Sequence, residues 1–95
     1  NALTQETETA KWRDPTGTVA VAQVVLHEDW VGRRVTDLQE ATGARVAFII
    51  RFGTGILPEL KTVLQAGDQV YVAAISGRAA EAVAIAALPP SEDLD

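Results

Sequence analysis

Apolar side chains come in short bursts along this sequence, each closed by a polar or turn-forming stretch. Thr18–Leu26, TVAVAQVVL, is β-branched and apolar on both faces, broken only by Gln23. That composition favours a strand. The polar run His27-Glu28-Asp29 ends it as a turn. In the following WVGRRVTDLQEATG, Val35, Leu38 and Thr42 fall at i, i+3 and i+7, one stripe of a short helix. Thr36 and Gln39 have capping-box spacing, with an earlier start near Gly32 as the alternative. Gly43 stands where a helix-ending glycine belongs, so the helix makes about two turns.

Arg45–Arg51, RVAFIIR, predicts a second strand, with Val46, Phe48 and Ile50 on one face and Ala47 and Ile49 on the other. Gly53 and Gly55 allow a turn, and Ile56-Leu57 predicts a very short third strand that Pro58 stops. Thr62-Val63-Leu64 offers one or two side chains to the core ahead of the tight turn Ala66-Gly67-Asp68. Gln69–Ile75, QVYVAAI, is apolar on both faces and predicts the central strand of the sheet. Ser76 is placed to cap the Ala-rich helix that follows, which Pro89-Pro90 ends. That helix is apolar nearly all round, so either the core wraps it or it packs on another subunit.

The element order is β-α-β-β-β-α. It predicts a small α+β domain with a mixed or antiparallel sheet and helices packed against it. Residues 1–17 are polar and Thr/Glu-rich and read as a linker or arm, with Asn1-Ala2 resembling a tag remnant. The domain proper runs 18–90, and 91–95 is an acidic tail. Trp12, the exception in the arm, either folds over a neighbour or anchors a missing domain or second subunit.

Length and composition narrow the function classes. Ninety-five residues suffice for one domain, and aromatics at 5% leave an aliphatic core. A net charge of −5 does not fit a free-standing nucleic-acid binder or a polybasic membrane patch. With no Cys and one His, thiolate and multi-His metal sites are excluded. The longest near-apolar segment, Ala79–Leu88, is about half the roughly 20 residues of a membrane span. The chain has no Met, so we expect it to be part of a longer protein whose working site can lie elsewhere.

Few residues suggest chemistry. His27-Glu28-Asp29 is the one tight cluster of acid, base or metal-capable types, but consecutive side chains diverge and a solvated turn explains it. Gly53-x-Gly55 lacks the third glycine and the following helix of a dinucleotide fingerprint. Asp37, Glu40 and Glu59 are scattered carboxylates, read as surface charge against a small hydrolase. Arg45 and Arg51 bracket an apolar strand. Arg51-Phe52-Gly53 joins a guanidinium fork, an aromatic ring and a flexible backbone, a mix that suits a small anionic ligand or an interface. Two arginines snorkelling from strand ends is the alternative.

Gly32-Arg33-Arg34-Val35-Thr36-Asp37-Leu38, the strand 44–53, Ile56-Leu57-Pro58 and Thr62–Val72 with its central Leu64-x-x-Gly67-Asp68 occur in the order typical of one family. Together they resemble the TrkA C-terminal domain, also called the RCK C-terminal domain. The resemblance runs from about Val24 to Ala74. It implies a non-catalytic cytoplasmic regulatory, ligand-sensing and dimerisation module of bacterial potassium uptake systems. It further implies a preceding Rossmann domain that holds NAD(H) or another nucleotide, a membrane potassium transporter as partner, and no cofactor in these residues. Arg45, Arg51, Phe52 and Pro58 become the candidate ligand or interface residues. Members that bind cyclic di-AMP carry Arg, His and Asn where this chain has Gln39-Glu40-Ala41 and Thr42-Gly43-Ala44. The same module on another cation or anion transporter, and a small stand-alone enzyme, are the competing readings.

Overall fold

A computed structural model describes residues 11–91, so Asn1-Ala2, most of the arm and all but Ser91 of the acidic tail lie outside the described residues. Five strands form one antiparallel sheet: β1 (Trp12–Arg13), β2 (Val19–Val24), β3 (Arg45–Arg51), β4 (Thr54–Ile56) and β5 (Gln69–Ile75). Their order across the sheet is β1-β2-β5-β3-β4, so the Gly67-Asp68 turn does feed the central strand. Two helices, α1 (Val35–Thr42) and α2 (Ala79–Ala86), share a core with one face of that sheet. The order differs from the sequence reading by the added edge strand β1. Trp12 and Arg13 leave the arm to pair with Val21 and Ala20.

Alternation dictates which side of each strand is buried. In β2 it is Ala20, Ala22 and Val24; in β5 it is Val70, Val72 and Ala74. The opposite residues of β5, Tyr71 and Ala73, are half-buried, so this strand is central by sheet order and not by being covered on both faces.

β3 breaks the alternation expected of it. A bulge lies between Val46, opposite Val72, and Phe48, opposite Tyr71. The extra residue Ala47 places Val46 and Ile49, three apart, in the same core. Phe48 turns instead to the other face, where its ring stacks on Tyr71 at 4.6 Å.

The helix ends also correct the sequence reading. At the start of α1, Asp37 Oδ2 accepts from the Arg34 N–H at 3.4 Å, while Gln39 Oε1 accepts from Val46 N–H at 2.9 Å. Gln39 therefore joins helix to strand and does not close a capping box with Thr36. Ser76 does not cap α2. It opens a 3-10 turn, Ser76–Arg78, and its hydroxyl donates to the Gly17 carbonyl at 2.6 Å. α2 lies close to the sheet through Ala79, Ala82 and Ala86, small side chains that permit a short approach. The short strand expected at Ile56-Leu57 is β4, Thr54–Ile56: it starts two residues earlier and ends at Ile56.

Gly43 ends α1 as expected, with φ 74°. A Cβ there would meet nothing within 4 Å, so its conformation alone sets the cost of a side chain. Gly43→Ala is expected to destabilise by about 1 kcal/mol. Urea unfolding checks this: the midpoint should fall with the slope unchanged.

Candidate functional site

β3 and β5 run antiparallel with Ile50 opposite Gln69, so the next residues outward, Arg51 and Asp68, meet at the sheet end. Arg51 Nε donates to Asp68 Oδ1 and Nη2 to Asp68 Oδ2, both at 2.8 Å. This is the two-pronged geometry that a planar guanidinium matches to a carboxylate. Nη2 also donates to the Val63 carbonyl at 2.9 Å, and Asp68 Oδ2 accepts from Gln65 N–H at 3.0 Å. One ion pair thus ties together β3, the loop before the turn and the turn itself.

The Asp68 side chain is fully shielded from solvent and that of Arg51 is 20% exposed. Its hydrogen bonds from Arg51 hold the Asp68 carboxyl below the usual range, against the opposing effect of burial. The same bonds raise Arg51. Gly67, at φ 86°, makes the tight turn that aims Asp68 inward.

Just beyond the pair, Phe52 and Gly53 both have positive φ, 52° and 77°, and turn β3 into β4. Two left-handed residues are the signature of a tight hairpin, a position that favours Asn or Gly over an aromatic. Phe52 nevertheless stands there, 91% exposed. A shallow hollow of about 400 Å³ separates its hairpin from the Gly67-Asp68 turn.

The four candidates do not share one site. Arg51 and Phe52 border that hollow. Pro58 lines a different depression of about 240 Å³ with Val35, Thr36, Gln39, Val46, Glu59 and Leu60. Arg45 is exposed at the far end of β3, opposite Ala73. Sequence reasoning marks Arg51 as a candidate and Asp68 as a turn residue, but it misses that the two pair.

His27 and Asp14 have structural bonds. His27 Nδ1 accepts from Asp29 N–H at 3.0 Å and so caps the 3-10 turn Glu28–Trp30. Asp14 accepts from Thr16 and from Val19 N–H, bonds that hold its pKa down to about 2. Among the described residues no group of three or more His, Cys, Asp or Glu is placed to hold a metal ion. Nor is any described helix long and apolar enough to cross a membrane.

A family model for the TrkA-C domain matches residues 21–87. The chain belongs to that family. This TrkA-C domain is 56% identical over 61 residues to a Trk system potassium uptake protein TrkA from Streptomyces coelicolor, a match covering 64% of this chain. It spans only 27% of that relative's length. In structure it is similar to the GsuK RCK domain, with a TM-score of 0.64 over 84% of this chain and 18% of that one. Sequence identity there is 18%, so that likeness concerns the fold. It agrees with the expected α+β architecture.

Proposed function

We propose that this TrkA-C domain is a non-catalytic, cytoplasmic regulatory module of a bacterial Trk-type potassium uptake protein, one that senses a ligand and dimerises. The observation that carries the reading is the 56% identity to a Trk potassium uptake protein, far above what fold alone requires. Kinship with a Trk potassium uptake protein, of which this domain spans 27%, supports a longer parent protein; its preceding nucleotide-binding domain for NAD(H) or another nucleotide and its docking on a membrane potassium transporter are part of the proposal.

The work of such a module is a shift between populations. A ligand or partner that favours one arrangement of the domain changes the state of what is attached to it, by no more than its difference in affinity for the two states. Arg45, Arg51, Phe52 and Pro58 are the proposed ligand or interface residues. Of these, Arg51 acts by holding the hairpin that presents Phe52, because its fork already grips Asp68.

Rubidium uptake tests the reading in a strain that lacks its own potassium uptake systems. The parent protein is expected to support uptake, and the parent without residues 18–90 to support it at a several-fold different rate. Equal uptake by the two would overturn the proposal.

A further inference from the structure

The 3-10 turn Glu28–Trp30 is short, yet the end of α2 depends on it. Two bonds from the turn and its cap residue reach that end. His27 N–H donates to the Ala86 carbonyl at 2.9 Å, and the Trp30 indole Nε1 donates to the Leu88 carbonyl at 2.8 Å. The turn itself is capped by a ring nitrogen. Asp29 N–H donates to His27 Nδ1 at 3.0 Å, where a capping side chain ordinarily offers an oxygen. The difference is chemical. A hydroxyl or amide oxygen accepts at any ordinary pH. An imidazole nitrogen accepts only while it holds no proton, and both ring nitrogens of the charged form are donors.

We propose that this turn is a proton-operated joint: when His27 takes a second proton, the turn loses its cap and its hold on the end of α2 loosens. Histidine is the side-chain type that exchanges a proton between about pH 5 and 8, and this chain has only one. Its side chain is 32% exposed, so the ring is within reach of water. The alternative partner is already in place. Asp29 Oδ2 lies 3.9 Å from Nδ1, and a small rotation of the imidazolium turns its Nδ1–H away from the backbone N–H and toward that carboxylate. The proton thus exchanges a backbone cap for a side-chain ion pair on the same residue, Asp29.

The surrounding charges leave this exchange to the turn. Glu28 and Asp29 are the acidic neighbours on the turn itself. Residues 19–26, which lead into it, and residues 82–90, which dock on it, contain no titratable side chain. Arg33, Asp37 and Glu40 share a hollow with Trp30 and not with the imidazole. Asp68, which shares a hollow with Glu28, is bound to Arg51. Ala86 and Trp30 both belong to the central core, so a change in the turn is felt where α2 meets the rest of the domain. Such a joint gives the domain an input that needs no bound ligand, and it stands independently of the function proposed above.

NMR of the 95-residue chain from about pH 8 to about pH 5.5 tests the proposal, a range in which ordinary carboxylates stay ionised. In the native chain the Asp29 amide and the Trp30 indole N–H should shift in one common step, with the Trp12 indole as reference. Protection of the Trp30 indole against exchange should fall about fivefold, the usual worth of a cap. His27→Asn keeps an oxygen cap and has no proton to take, so both signals should stay still. His27→Ala has no cap and should show the low protection at both ends of the range. A step that persists in His27→Asn belongs to other groups and overturns the proposal. A native chain without a step overturns it too, as does full protection in His27→Ala. An Asp29 amide that moves while the Trp30 indole stays fixed would also overturn it, because the proton's effect then ends at the cap.

Discussion

Replacing Asp68 with alanine is expected to cost about 2–3 kcal/mol of stability. The change removes both prongs of the Arg51 pair and the acceptor for Gln65 N–H, and leaves a guanidinium that is four-fifths shielded without its counter-charge. Breaking a fully buried pair from one side costs about 3–5 kcal/mol. The exposed fifth of Arg51 brings this one lower, because solvent screens it. In a domain of this size the melting temperature should fall by roughly 8–20 °C. Arg51→Lys should lose less, since a lysine keeps the charge but not the fork. The pH dependence has a definite sign. Asp68 has a lowered carboxyl pKa in the folded state, so its contribution is complete above the unfolded carboxylate value, about 3.9. It is lost as pH falls through the lower folded value. The gap between the native chain and Asp68→Ala should therefore be constant near neutrality and close in strong acid. Asp14 titrates in the same direction, between the unfolded value and about 2. Thermal melts from pH 7 to pH 2 measure both effects. A gap that persists at pH 2 would mean that the carboxylate's charge is not what stabilises the turn.

That pair also shows what the sequence could and could not disclose. Strand bounds were legible, because β-branched runs closed by Arg and Gly leave little choice: 45–51 and 69–75 appear with those limits. The helix end at Gly43 was legible for the same local reason. Contacts between distant residues were not. Arg51 and Asp68 are 17 apart, and only the pairing of β3 with β5 brings them together. Once that pairing is assumed, with the Gly67 turn beginning one strand and Gly53 ending the other, the meeting follows from register. The bulge at Ala47 left a weaker trace. The five apolar residues between Arg45 and Arg51 fit either register, and in the structure the bulge goes with the stack of Phe48 on Tyr71. Ser76 was misread because serine bonds equally well to a helix N-terminus and to a neighbouring carbonyl. Here Gly17 is the closer partner. The four candidate residues were chosen for their chemistry, and chemistry does not report proximity. Hence Pro58 and Arg45 lie on different surfaces from Arg51.

Trp30 is the residue whose importance the pattern hid most, and its loss should be the most damaging single change. With Val31 it stands between His27-Glu28-Asp29 and Gly32-Arg33-Arg34, a stretch in which no periodicity marks it as core. Yet it is only 2% exposed and belongs to the central cluster with Leu38 and Ala86. Its indole Nε1 donates to the Leu88 carbonyl at 2.8 Å, and nearby His27 N–H donates to the Ala86 carbonyl at 2.9 Å. The last carbonyls of a helix have no partner within it, and these two bonds supply partners from the loop after β2. Trp30 thus fills an otherwise aliphatic core and secures the end of α2 against it. Trp30→Ala should cost about 3–5 kcal/mol, a large part of what a domain this small possesses, so the variant should be partly unfolded at 37 °C. Trp30→Phe separates the two roles. It keeps most of the apolar volume and leaves the Leu88 carbonyl without its donor, so about 1–2 kcal/mol should be lost. Urea unfolding of the three chains measures the difference, and amide exchange near Leu88 locates it. If Trp30→Phe proved as damaging as Trp30→Ala, the hydrogen bond to the helix end, and not the buried ring, would be what holds α2 in place.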